Sequence, residues 1–158
     1  MNKDETLKSL ENAKIELIRF VEIAKIMASG IEPENKILPT TPRETKFGKW
    51  FYTDGQKLKT LSNNPLECMD NIESLHEKFY EKYHEIYDVY YSEENKSGFF
   101  SKIFKPKQKV LTDSELQHVK QEFAVMEKTA KKLLEEISRL QRRLVAVSEE
   151  KIHFLGHL

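Results

Sequence analysis

The chain has 158 residues, and its 26 Lys and Arg balance 26 Asp and Glu, so it carries no net charge at pH 7. This balance excludes a global field that would attract nucleic acid, and the single Cys68 excludes an intramolecular disulfide. Apolar residues make up only 39% of the chain and charged residues 33%, which favours long amphipathic helices over a sheet. We therefore expect one all-α domain spanning 1–158. The polar N-terminal residues lack the apolar stretch of a signal peptide, which indicates the reducing cytoplasm.

Two helices are predicted in the first part of the chain. The first spans about 3–29, because apolar residues recur at three- and four-residue steps until Gly30 ends the pattern. The second spans about 41–61 and is interrupted near 54–55, where Asp54-Gly55 favours a turn. Its start at Thr41-Pro42-Arg43-Glu44 places a capping side chain three residues before a Glu.

A third helix is predicted over about 65–92, beginning at Asn64-Pro65. His76 lies on its apolar seam and is therefore expected to face the core, while Tyr80 flanks the same face. The seam contains Met69, Ile72, His76, Phe79, Tyr83, Ile86 and Tyr90.

A fourth helix is predicted over about 112–154, because a three-four apolar pattern follows a capping signal at Thr112 for more than four heptads. Together the four segments predict an antiparallel four-helix bundle with a short second helix and a long C-terminal helix. The fourth helix outruns its partners, so its distal part, with Leu140, Leu144 and Val147, would be exposed. We therefore predict a homodimer that covers this seam.

The segment between the last two helices combines Ser, Gly and Pro with alternating basic and aromatic residues. We expect a flexible loop over 93–110, because it offers little apolar surface to offset the cost of ordering. Residues 99–109 also suit an interaction loop, either a protein contact or an interfacial membrane anchor, and a plain linker is the third alternative. The residues that carry this pattern are Phe99, Phe100, Lys102, Phe104 and Lys105.

The only Trp lies in the stretch Thr45-Lys46-Phe47-Gly48-Lys49-Trp50. Gly48 would let a neighbouring backbone come close, and Phe47 and Trp50 supply a large area for a core. The order Phe-Gly-Lys-Trp, followed about 25 residues later by a helical His, resembles the chemoreceptor zinc-binding family of bacterial signalling proteins. The resemblance covers roughly residues 10–90.

This resemblance implies a four-helix bundle in which three His and one Cys hold zinc. The Cys position falls on Thr45, and the His positions fall on Leu17, His76 and Tyr80. Zinc needs about four nitrogen, sulfur or oxygen ligands, and only His76 keeps the family's ligand type. We therefore expect a vestigial site without zinc, with His76 as a hydrogen-bonded interior residue, and some metal occupancy at His76 as the alternative.

Catalytic motifs do not stand out in the sequence, which has no Gly-rich phosphate loop, no His-Glu-x-x-His and no nucleophile beside an obvious base. We therefore expect no enzyme. The resemblance implies a cytoplasmic regulatory module in chemotaxis or cyclic-dinucleotide signalling, acting through contact with itself or with other signalling proteins. The alternative is a helical scaffold or membrane-peripheral adaptor that uses residues 99–109. A nucleic-acid partner is not expected, because no helix carries a basic face free of acidic residues.

Overall fold

A computed structural model describes residues 1–34, 41–61, 66–91 and 109–158, and every regular element within these ranges is helical. The predicted all-α class is thus confirmed. Two 3₁₀ helices, Pro42–Glu44 and Asp54–Thr60, flank the second α-helix. The α-helices are α1 (Lys3–Ala28), α2 (Lys46–Phe51), α3 (Leu66–Tyr91), α4 (Asp113–Val145) and α5 (Glu149–Leu155).

Side chains cap the N-terminal ends of α1 and α4. The Asn2 side chain accepts a hydrogen bond from the backbone N–H of Glu5 at 2.8 Å and so caps α1. The Thr112 hydroxyl accepts from the N–H of Glu115 at 3.2 Å and caps α4. At its other end α1 is closed by Gly30, whose φ of 82° lies in the left-handed region that favours glycine.

Helices α3 and α4 lie side by side and run in opposite directions. Glu67 near the start of α3 pairs with Arg139 near the end of α4 at 3.5 Å. Further along α3, Lys82 pairs at 2.9 Å with Glu122, which lies in the first half of α4. Because rising numbers on one helix meet falling numbers on the other, the pair is antiparallel.

Helix α1 packs against both of these helices and runs parallel to α3. Its Phe20 ring packs edge-on against Tyr80 with the ring centroids 5.4 Å apart. About two turns further along α1, the carbonyl oxygen of Met27 accepts a hydrogen bond from the Tyr90 hydroxyl at 2.6 Å. The inner faces of the three long helices therefore share one core.

The apolar seams predicted for α1 and α3 are buried in this core. On α1 the buried seam residues are Leu10, Ala13, Leu17, Phe20, Ala24 and Met27. On α3 they are Met69, Ile72, His76, Phe79, Tyr83, Ile86 and Tyr90.

The prediction of one continuous helix over 112–154 is wrong. Helix α4 ends at Val145, and α5 begins after Ser148, whose backbone is extended. The ammonium group of Lys3 donates to the carbonyl oxygens of Val145 and Val147 at 2.7 Å each. Lys3 thereby satisfies acceptors that a continued helix would have bonded internally.

The C-terminal seam is also not exposed as predicted. Leu140, Leu144 and Val147 are buried within the chain. Helix α1 lies alongside this end of α4, where Glu11 bonds Gln141 and Lys3 bonds Val145 and Val147, and α5 folds back onto α1 and onto the 3₁₀ helix Asp54–Thr60. The reason given for a homodimer is therefore wrong, although the oligomeric state itself stays a prediction.

Most of the segment predicted as a flexible loop, 93–110, lies outside the described residues. At its described end, the backbone N–H of Lys109 donates to Glu32 at 3.0 Å, and its ammonium group contacts the carbonyl oxygen of Val89. Within the described ranges, the helices fall short of the combined length and apolarity that crossing a bilayer would require.

Candidate functional site

The short helix α2 is held against the chain that precedes it by Gly48. A Cβ atom at this position would overlap the carbonyl oxygen of Pro42 and would lie 2.9 Å from the Thr45 hydroxyl oxygen. Only a glycine leaves room for this close approach of two backbone segments. The Phe-Gly-Lys-Trp stretch therefore fixes the position of α2 relative to the 3₁₀ helix before it.

Thr45 caps α2 from a buried position. Its hydroxyl donates to the carbonyl oxygen of Pro42 at 2.9 Å and accepts from the backbone N–H of Gly48 at 2.8 Å. The bond from Gly48 satisfies an N–H that the N-terminus of α2 leaves without an intrahelical partner, and the bond to Pro42 ties α2 to the 3₁₀ helix before it. The hydroxyl at the position that the resemblance assigns to Cys thus has a structural role.

His76 lies on the buried face of α3 and is only 1% exposed. Its imidazole packs edge-on against the rings of Phe47 and Tyr80, with centroid distances of 5.1 and 4.9 Å. Burial among aromatic rings disfavours the charged form and lowers the pKa of His76 to about 4. The imidazole is therefore neutral at neutral pH.

The Tyr52 hydroxyl, at the C-terminal end of α2, is the polar group that reaches this imidazole. Its oxygen lies 3.5 Å from Nδ1 of His76, which is longer than an ordinary hydrogen bond. The guanidinium of Arg43 covers the outer side of the Tyr52 ring at 4.3 Å from the centroid. Burial, with Glu77 as a further contribution, raises the pKa of Tyr52 to about 12, so the phenol keeps its proton.

Tyr80 lies one turn after His76 and is also buried. Burial raises its pKa, the neighbouring Glu16 carboxylate adds to that effect, and a hydrogen bond with Thr45 opposes it. The Phe20 ring packs against Tyr80 from α1. Leu17, one turn before Phe20 on the same helix, is buried in the same core.

Glu16 lies at the edge of this group, where α1 meets the start of α2. Burial raises the pKa of its carboxyl, and the backbone N–H of Phe47 opposes the shift. Beside Glu16 an open groove of about 600 Å³ runs between α1 and α2, with Ile15, Arg19 and Phe20 among its lining residues. The groove lies on the solvent side of the buried rings around His76, and Phe20 and Phe47 line it.

The four positions that the resemblance assigns to zinc do not form a zinc site. Leu17 has no donor atom, and the Thr45 hydroxyl is engaged with backbone groups. The raised pKa of Tyr80 opposes the phenolate that a metal would need. Among the described residues, no group of three or more His, Cys, Asp and Glu side chains lies close enough to hold a metal ion. His76 alone cannot supply the roughly four donors that zinc takes.

Of the residues singled out from the sequence, the structure brings Thr45, Phe47, His76 and Tyr80 into one group. Trp50 is half-buried, contacts Phe47 and lies over Gly55, so it belongs to the rim of the group. The proposed interaction residues Phe99, Phe100, Lys102, Phe104 and Lys105 lie outside the described residues.

Sequence reasoning did not assign Tyr52, Arg43 or Glu16 to this group. Tyr52 lies two residues after Trp50, and Glu16 directly precedes Leu17. Closeness in the sequence to residues already singled out was therefore the available signal. Neither residue lies on an apolar seam, and periodicity within one helix does not report contacts made with another. Their roles emerge only when α1, α2 and α3 are packed together.

No protein-family model, curated protein or solved structure matches this chain.

Proposed function

We propose that this chain is a non-catalytic regulatory module of the cytoplasm that acts by binding other signalling proteins. The proposal rests on the resemblance of its Phe-Gly-Lys-Trp stretch and His76 to the chemoreceptor zinc-binding family. One observation carries it: Thr45, His76 and Tyr80, from three of the four positions where that family holds zinc, meet in the interior. His76 and Tyr80 lie one turn apart on α3, whereas Thr45 lies at the start of α2, so the approach of Thr45 to this pair is not a consequence of sequence spacing.

In this proposal the chain is an antiparallel four-helix bundle with a reduced second helix. Helices α1, α3 and α4 provide the long members, and α2 with its two flanking 3₁₀ helices takes the fourth place. Helix α2 supports this arrangement because it packs on α1. It also contacts α3 through the Phe47 and His76 rings.

In place of metal, we propose that packing holds the interior of the module together. The Leu17 side chain fills volume, Thr45 bonds the backbone, and the His76 and Tyr80 rings pack edge to face. Edge-to-face aromatic pairs each contribute roughly 0.5–1.5 kcal/mol beyond their burial. The fold should accordingly survive a chelator without loss of thermal stability.

Reconstruction of the site tests the family alignment. The triple variant Leu17→His, Thr45→Cys, Tyr80→His should bind zinc at one ion per chain, because it supplies three His and one Cys around the present group. Adding His76→Ala to this variant should remove the binding, and Thr45→Cys alone should not create it. A folded triple variant that binds zinc no better than the wild type would show that the alignment is misplaced.

The contact function requires a separate experiment. Purified chain should bind the cytoplasmic signalling domain of a chemoreceptor, or an enzyme that makes cyclic dinucleotides, in isothermal titration calorimetry. An affinity in the range of transient signalling contacts, about 1–100 µM, is expected. Absence of heat with both classes at about 0.5 mM would overturn the proposed function.

A further inference from the structure

Helix α1 carries three exposed isoleucines on the face opposite its buried seam. Ile15, Ile18 and Ile26 are 60%, 49% and 43% exposed. At 100° per residue, Ile15 and Ile26 point almost directly away from the side that Leu17 and Ala24 bury. The six-residue helix α2 lies beside the first half of this face, across a groove lined by Ile15 and Phe47, and leaves Ile15 exposed. A row of exposed β-branched side chains at helical spacing is typical of an interaction surface.

The order of residues on this outer face is nearly the same in both directions along the helix. Read outward from the peptide bond between residues 20 and 21, an Arg on one side corresponds to a Glu on the other, and each Ile corresponds to an Ile. We call this surface the isoleucine face. It consists of Ile15, Ile18, Arg19, Glu22, Ile23 and Ile26.

A two-fold axis at the centre of such a pattern makes the face complementary to itself. In an antiparallel pair of α1 helices, Ile15 would lie opposite Ile26 of the second copy. Arg19 would lie at the same height as Glu22 of the second copy, and the reverse pair would form by symmetry. Parallel pairing would instead place like charges at the same height, so charge favours the antiparallel arrangement.

We propose that the isoleucine face is a homodimer interface in which α1 packs antiparallel against α1 of a second copy. This goes beyond the proposed signalling role and does not depend on it. The interface differs from the C-terminal seam considered from the sequence, whose leucines are buried within the chain.

Two grooves beside α1 supply the shape that such a pairing needs. The groove of about 600 Å³ lies along the first half of the isoleucine face, and a second groove of about 380 Å³ lies along the second half. In the antiparallel dimer, Ile26 of the second copy enters the first groove beside Ile15 and Phe20. Two-fold symmetry fills both grooves in both copies.

The size of the face makes this a weak dimer. From residue 15 to residue 26 the helix is about 17 Å long, which supports an interface at the small end of specific contacts. A dissociation constant on the order of 10–100 µM is therefore expected. Measurements must reach about 0.5 mM, where roughly three quarters or more of the chains would be dimeric.

Analytical ultracentrifugation of the full chain tests the position of the interface. The wild type should shift from monomer to dimer mass between about 5 µM and about 0.5 mM. Ile26→Asp should weaken dimerisation more than tenfold, because it places a charge in the first groove. The matched control Val125→Asp changes a side chain that is 38% exposed on α4, in a groove lined by α3 and α4, and it should leave the shift unchanged. A wild type that stays monomeric, or an Ile26→Asp variant that dimerises normally, overturns the proposal.

A charge exchange tests the antiparallel register. Arg19→Glu and Glu22→Arg should each weaken self-association by about tenfold, because each creates two like-charge pairs across the axis. An equimolar mixture of the two variants should recover a dimer at least as tight as the wild type, since one copy then presents two acidic residues and the other two basic ones. A mixture that associates no better than either variant alone overturns the register. Neither result bears on binding to receptor domains or cyclases, so this inference and the proposed function can fail separately.

Discussion

His76 should make the stability of the fold depend on pH. Burial lowers its pKa to about 4, from 6.5 in the unfolded chain. As the pH falls below about 6.5, the unfolded chain takes up this proton while the folded chain does not. Stability contributed by the neutral imidazole is therefore complete above about pH 6.5, falls between about 6.5 and 4, and changes no further below that.

The magnitude follows from the two pKa values. Each pH unit between them corresponds to about 1.4 kcal/mol, so the free energy of unfolding should fall by about 3 kcal/mol across the window. This is a large part of the 5–15 kcal/mol that is typical of a domain. The neighbouring Tyr52 and Tyr80 do not titrate in this range, because burial raises both of their pKa values.

Urea unfolding at a series of pH values measures the effect. The fluorescence of Trp50, the only Trp, reports on the site, and circular dichroism reports on the helices. His76→Leu keeps an apolar side chain in the core and removes the imidazole. Carboxylates titrate in the wild type and in the variant alike. Subtracting the variant's unfolding free energy from that of the wild type at each pH therefore isolates the contribution of His76.

The difference between the two profiles should change by about 3 kcal/mol between about pH 7 and pH 4. The control His118→Leu removes an exposed imidazole on α4 and shows what a His-to-Leu change contributes outside the core. A His76→Leu difference that stays constant within about 1 kcal/mol over this range would refute the assignment of a buried neutral imidazole.

Three further predictions concern the contacts that hold the helices in place, and each is checked by denaturant unfolding. Gly48→Ala should destabilise the fold by about 3 kcal/mol or more, because the new Cβ overlaps the carbonyl oxygen of Pro42. Tyr90→Phe should cost about 1–2 kcal/mol, because it removes the buried 2.6 Å hydrogen bond to the carbonyl oxygen of Met27. Lys3→Met should cost about 1–2 kcal/mol, because two carbonyl oxygens at the end of α4 lose a charged donor.

Each of these variants has a neighbour that serves as a control. Lys49→Ala changes an exposed residue beside Gly48, Tyr87→Phe changes a half-buried tyrosine on the same helix as Tyr90, and Lys8→Met changes an exposed lysine on α1. These three should change the free energy of unfolding by less than about 0.5 kcal/mol. A test variant no worse than its control would show that the contact assigned to it contributes little.

The seams of α1 and α3 could be predicted from the sequence because helical periodicity records which face is buried. His76 is the clearest case, since its place among Ile72, Phe79 and Tyr83 on one seam predicted an interior imidazole, and the structure buries it. The chemical state of that imidazole could not be predicted. It depends on rings from α2, which lie more than 20 residues away in the chain.

The end of α4 could not be predicted, because the same periodicity continues beyond it. Leu140, Leu144 and Val147 keep four- and three-residue steps past the end of α4 at Val145, and all three are buried. The break is stabilised by Lys3, which lies 142 positions before Val145 and carries no local signal of that role. Apolar periodicity within one helix cannot report a contact that a residue from a distant part of the chain makes with it.

The three hydrogen bonds that Lys3 makes to Val145, Val147 and Glu149, which form the Lys3 clamp, should form late in folding. The backbone N–H of Lys3 bonds Glu149 at 3.1 Å and its ammonium group bonds Val145 and Val147, so the clamp joins residues 142 to 146 positions apart. Closing so long a loop costs more chain entropy than forming contacts within a helix pair. The clamp should therefore form after the folding transition state, once α1 and α4 are already aligned. Lys3→Met should then accelerate unfolding while leaving the refolding rate nearly unchanged, so the clamp acts chiefly on the lifetime of the native state.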